Sequence, residues 1–171
     1  MRFTSVKTLA AALLLTLSFL ATGRADDPGK KIIGTVRTEL IFGTKGAVEA
    51  LGNGSVKLPA EEQERLRKIE KLENFTKFVK LGSVEQPVLA GYKIWATPIK
   101  NSEAIMVTFQ PQARIVEENK LRLDIEYWQK KKMALRWDRV FEVGKRVYLI
   151  GPKWREGNLI ITVELVNLRH K

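Results

Sequence analysis

Two acids on one strand face are the first place to look for chemistry. Leu121, Leu123, Ile125 and Tyr127 alternate with Arg122, Asp124, Glu126 and Trp128. A period of two therefore puts Asp124 and Glu126 on one side of a strand. Carboxyl pairs roughly 5–10 Å apart can cleave a glycosidic bond, one as acid and the other as base or nucleophile. The bland reading is a polar, solvated outer face behind a uniformly apolar inner one, with nearby Lys and Arg pairing the acids. The adjacent pairs Glu61-Glu62 and Glu117-Glu118 lack the spaced oxygens and glycine turn of a calcium loop.

Other chemistries fall away by residue type. The only histidine is His170, next to the C-terminus, and a general base needs a fixed geometry. The chain has no cysteine, which excludes thiol catalysis and zinc-thiolate sites. Gly43-Thr44-Lys45-Gly46 follows a strand but lacks the GxxxxGK[ST] order of a phosphate loop. No catalytic residue, metal ligand or cofactor is assigned.

Basic and aromatic residues interleave around Lys130, Lys131 and Lys132, with Tyr127 and Trp128 before them and Arg136, Trp137 and Arg139 after. Such a hairpin can clamp an anion or stack on rings. The candidate set for an anion or a protein partner is Trp128, Lys130, Lys131, Lys132, Arg136 and Arg139. The competing reading is a lysine-rich turn that keeps an edge strand from aggregating, its aromatics in the core. Trp95 and Trp154 also lie beside turns, and four tryptophans either line a sugar-binding face or fill a core.

These residues sit on short strands. Residues 31–42 read as the first, and Gly43 to Gly46 break it. Residues 47–58 hold a turn cluster, Gly52-Asn53-Gly54. Pro59 to Asn74 reads as the one helix, with Glu61, Glu62 and Glu64 early and Arg67, Lys68 and Lys71 late, as the helix dipole favours. Leu66, Ile69 and Leu72 give it a narrow apolar stripe for packing on a sheet. Strands follow at 75–81, 88–95, 105–109, 121–127, 135–141, 147–150 and 159–165. Spacing near ten residues, with turn signals between, predicts an antiparallel β-sandwich of about seven to eight short strands with one packed amphipathic helix.

The first 25 residues have another purpose. Arg2 and Lys7 precede an uncharged run from Leu9 to Ala21, and Gly23 and Ala25 are small where a signal peptidase reads. The run is too short to span a membrane, so cleavage is expected after Ala25. Asp26, Asp27, Pro28 and Gly29 would then open the mature chain as an extended, accessible start. Residues 26–171 form one β-rich domain of ordinary size. Three of the 30 basic residues lie in the leader, leaving 27 against 19 acidic, a net charge of +8. That excess favours anionic surfaces without choosing among them. An exported chain without cysteine relies on burial and sheet pairing, which fits a bacterial envelope better than a disulfide-stapled module. Asn53-Gly54-Ser55 and Asn74-Phe75-Thr76 are glycosylation triplets only in a eukaryotic pathway.

The order of features has a likeness. A leader precedes KIIGTVRTELIFGT, a charged helix runs into ENFTKFVKLGS, and GYKIWATPIKNSEAIMVTFQP, LRLDIEYW and VYLIGPKWREGNLIITVEL follow. This resembles small uncharacterised exported proteins of planctomycete and verrucomicrobial bacteria, in which an element like Gly151 to Ile161 leads into a last strand. The resemblance implies the fold and an envelope location, and no activity.

The expectation is an exported, non-enzymatic binding or structural module, periplasmic or secreted. Its partner would be another envelope protein or an anionic polymer, met at an exposed sheet edge or basic face. The alternatives are a carboxylate-dependent hydrolase of envelope glycans, and a polyanion-binding protein using the basic hairpin.

Overall fold

The computed structural model describes residues 26–48, 55–99, 104–114 and 119–169. The expected leader with its expected cleavage after Ala25, the turn expected at 52–54, Glu117, Glu118 and His170 lie outside them. Among the described residues no helix is long and apolar enough to cross a membrane.

The fold is an antiparallel sandwich with a helix on one outer face. Its elements are β1 (Ile32–Thr44), β2 (Val56–Lys57), α1 (Ala60–Arg67), β3 (Lys77–Leu89), β4 (Ile94–Ala96), β5 (Ile105–Arg114), β6 (Lys120–Gln129), β7 (Lys132–Glu142), β8 (Arg146–Trp154) and β9 (Gly157–Leu168). A five-stranded sheet runs β2-β3-β1-β9-β8, and a four-stranded sheet runs β4-β5-β6-β7. All ladders within the sheets are antiparallel.

Alternation builds the layers. Val36, Leu40 and Phe42 from one sheet meet Val107, Phe109, Leu121, Leu123, Ile125 and Tyr127 from the other in a shared core. The opposite side of β1 and β9 offers Ile41 and Ile160, which pack with Leu58, Leu66, Leu72 and Phe78 under the helix. Among the described residues, the Tyr127 hydroxyl is the one buried side-chain polar atom without a hydrogen-bond partner, and burial pushes its pKa up to about 12.

The chain departs from its pattern at several places, and β1, for one, runs through Gly43 to Thr44 rather than breaking there. The helix ends at Arg67. From Leu66 to Phe75 the backbone instead makes three successive i→i+3 bonds, Ile69 to Leu66, Leu72 to Ile69 and Phe75 to Leu72. Leu66, Ile69 and Leu72 are three apart, the repeat of tight turns rather than of an α-helix. Gly82 does not end a strand. β3 runs through it, and a Cβ there would meet the Pro98 carbonyl oxygen at 2.1 Å, so the glycine serves a close backbone approach. Pro87 is accommodated because β2 pairs only with Val79 and Lys80, leaving the rest of β3 an edge. Gly151 and Pro152 fall in a bulge of β8 and do not end it.

The start at Asp26 is also not extended. Pro28–Lys30 form a 3-10 turn that Asp27 caps through Gly29 N–H, while the Tyr92 hydroxyl donates to the same carboxylate.

Candidate functional site

The outer face of the four-stranded sheet carries the polar and aromatic residues that the sequence singles out. Register assembles it in rows. Trp95 lies beside Thr108, then Glu126, then Arg136; Gln110 beside Asp124, then Asp138; Met106 beside Trp128, then Met133; and Arg122 beside Val140.

Asp124 and Glu126 do share this face, but they are not solvated. Asp124 is 3% exposed and Glu126 6%. Side chains laid over the sheet bury them. Arg136 grips Asp124 with Nε at 2.9 Å from Oδ1 and 3.1 Å from Oδ2, and with Nη2 on Oδ2. Glu126 accepts from Lys93 Nζ at 2.8 Å, Trp128 Nε1 at 2.9 Å and Thr108 Oγ1 at 3.1 Å. All four carboxylate oxygens are engaged. Burial pushes the Glu126 carboxyl up, but bonds from Lys93, Trp128 and Thr108 outweigh it and hold it below the ordinary range. A general acid near neutrality needs the opposite shift.

Like charges also face each other, because Asp124 and Asp138 are direct cross-strand neighbours. That contact is unfavourable alone. It is relieved diagonally, Arg136 taking Asp124 and Arg122 taking Asp138 with Nε at 2.8 Å. The Arg122 bonds hold Asp138 below its usual range. Arg136, Arg122 and Lys93 are thus matched with Asp124, Asp138 and Glu126 on this face.

Above this lattice stand two tryptophans. The Trp95 and Trp128 ring centroids are 5.4 Å apart with planes tilted by 55°. Trp95 is 46% exposed. The Glu126 bond fixes Trp128 by its ring nitrogen, so the pair is anchored from beneath. Trp137 and Trp154 go elsewhere. Both pack against the core, Trp154 edge-on to Phe42 at 5.0 Å with Arg155 over its ring. The four tryptophans divide evenly between display and packing.

The candidate binding residues separate. Trp128 and Arg136 join the outer face, Arg136 bound to Asp124. Lys130 and Lys131 form the two-residue turn between β6 and β7, at φ 49° and 63°, and Lys130 N–H donates to the Ala104 carbonyl at 3.0 Å. Lys132 pairs with Gln129 and Arg139 with Leu123, which sets both on the other side of the strand. Lys93 and Thr108 were not singled out from the sequence. Thr108 had a signal, the outward position between Val107 and Phe109. Lys93 had none, since β4 is three residues long and starts after it.

The five-stranded sheet has its own charged region. Arg146 reaches Glu39 at 3.1 Å, Glu62 at 2.5 Å and Glu164 at 3.4 Å. Lys80 also meets Glu39, and Arg37 meets Glu85 and Glu164. Burial works against the Arg146 charge, and the three glutamates more than restore it. A pocket of about 600 Å³ lies there, lined by Glu62, Arg65, Arg146, Tyr148 and Glu164 among others. No metal-holding group of three acids or histidines occurs among the described residues.

Compared with protein-family models, curated proteins and solved structures, the chain matches none.

Proposed function

We propose that this chain is an exported, non-enzymatic binding module of the bacterial envelope, whose recognition surface is the open face of the four-stranded sheet. The ligand is a sugar ring of an envelope glycan, laid against Trp95 and Trp128. The observation that carries this is the exposed Trp95 in contact with a Trp128 that a buried carboxylate anchors. A large aromatic left half in water, resting against an anchored Trp128, is a ready contact for the C–H face of a sugar, while Lys93 and Arg136 offer hydrogen bonds at its rim. Matched charges favour a neutral glycan over a polyanion here. Saturated carboxylates support binding rather than hydrolysis.

A second reading has its own observation. Lys130, Lys131, Lys132 and Arg139 are exposed and form no ion pair among the described residues, and they suit an anionic polymer or an acidic segment of another envelope protein.

Calorimetric titration separates the readings. Neutral oligosaccharides from the envelope should release heat with the wild type and not with Trp95→Ala, whose exposed site leaves the fold intact. Binding to polyphosphate, lost on changing Lys130, Lys131 and Lys132 to Gln and untouched by Trp95→Ala, would move the function to the hairpin. Glycan cleavage lost in Glu126→Gln would establish the hydrolase instead.

A further inference from the structure

We infer that β7 is a self-complementary edge, through which two copies of this chain pair antiparallel about Trp137 into one continuous sheet. No described strand pairs with β7 on the side away from β6. Open edges invite pairing, and proteins blunt them with prolines, bulges, short length or charges, lysine above all, and the only lysine of β7 is Lys132 at its turn end. The other edges here are blunted in those ways. The free part of β3 holds Pro87, β8 has its bulge at Gly151 and Pro152, and β4 has three residues. β7 runs eleven residues without proline, and its bulge, at Ala134 near the turn, leaves 135–142 in regular register with β6.

The side chains of β7 complement themselves. With Trp137 opposite Trp137 of the second copy, Arg136 falls opposite Asp138, Leu135 opposite Arg139, and Met133–Ala134 opposite Val140. Each of these contacts occurs twice, as a two-fold axis requires. Five large apolar side chains are exposed among the described residues, and two are Met133 at 50% and Val140 at 46%. Both lie on the outer face of β7, where the pairing would cover each with the other. Arg136 and Asp138 keep much of their surface free beside their internal partners. The pairing would extend them into a chain, Asp124–Arg136–Asp138–Arg122, across the axis. The Arg139 stem can lie along Leu135 with its charge in water. A pair of strands is small beside the roughly 1,200–2,000 Å² of stable interfaces, so association should depend on concentration. Joining the edges would also merge the two outer faces into one, though the inference does not depend on what those faces bind.

The test is sedimentation equilibrium of the purified protein over a range of concentrations. A monomer–dimer equilibrium is expected. Val140→Glu places an acid in the apolar contact, and Asp138→Arg turns two attractive pairs into repulsive ones. Each should raise the dimer dissociation constant about tenfold. Lys131→Glu, in the turn outside the pairing, should leave it unchanged. As a second readout that needs no variant, amide exchange within residues 133–140 should slow as concentration rises. A monomer throughout, a dimer indifferent to both edge variants, or exchange independent of concentration would each overturn the inference.

Discussion

The sandwich has two outward faces, and they handle charge by different rules. On the five-stranded sheet charge is shared: Arg146 serves three glutamates, and Glu39 draws on both Arg146 and Lys80. On the four-stranded sheet it is matched one to one, Asp124 to Arg136, Asp138 to Arg122, Glu126 to Lys93. The first face is partly roofed by α1 over Ile41, Phe78 and Ile160. The second has no covering element among the described residues and shows Trp95, Met133 and Val140 to water. A shared network tolerates loss of a member, whereas matched pairs fix each side chain in place. The shared arrangement suits a face that holds a helix. The matched one suits a face that must present a surface of fixed shape.

The helix side should respond most. Leu66 is fully buried between α1 and the sheet, and truncating such a leucine leaves a cavity. Leu66→Ala should cost about 3 kcal/mol, read from urea unfolding, while glycan heats at the Trp95 face stay unchanged. A variant that lost glycan binding while still folded would show the two faces to be coupled. Next comes the contrast between the charge schemes. Arg136→Ala strands the buried Asp124 and should lower the urea midpoint clearly. Arg146→Ala leaves Glu39 with Lys80, and should cost about 1 kcal/mol. If Arg146→Ala proved the more damaging, the distinction between shared and matched charge would fail.

The same contrast explains what was readable beforehand. Alternation in 121–127 and 159–165 marks true strands because one face of each is core, and burial enforces a period of two. That is why the sandwich and its packed helix could be read. Glycine and proline misled where tertiary contact set their role: Gly82 admits the Pro98 backbone, and Pro87 sits on an open edge. At the site, alternation placed Asp124, Glu126 and Trp128 together correctly. It could not reveal that the two acids are buried, because their cover comes from Arg136 on β7 and from Lys93, distant in sequence and brought near only by β4 pairing with β5. Nor could it sort the tryptophans, since Trp95 and Trp154 both flank turns and only the packing of Phe42 against Trp154 tells them apart.

The smallest expected effect concerns the tip that borders the open face. Lys130 and Lys131 both take positive φ in a two-residue hairpin turn, a conformation that suits Asn-Gly and costs side chains with a bulky Cβ. If the tip served stability alone, lysine would be a poor choice at both positions. Replacing Lys130 with Asn and Lys131 with Gly should stabilise the protein by about 1 kcal/mol, part of the relief being offset by the looser unfolded chain. Urea midpoints at fixed pH would measure it. The same variant, applied to a polyphosphate column across a salt gradient, separates the two roles of the lysines. Stabilisation with earlier elution would mean that the strained turn is retained for its charge, and the hairpin would join the open face as a contact surface. Stabilisation with unchanged elution would confine the lysines to guarding the end of β7. No gain in stability would show that the bond from Lys130 N–H to Ala104, rather than the residue types, sets the turn.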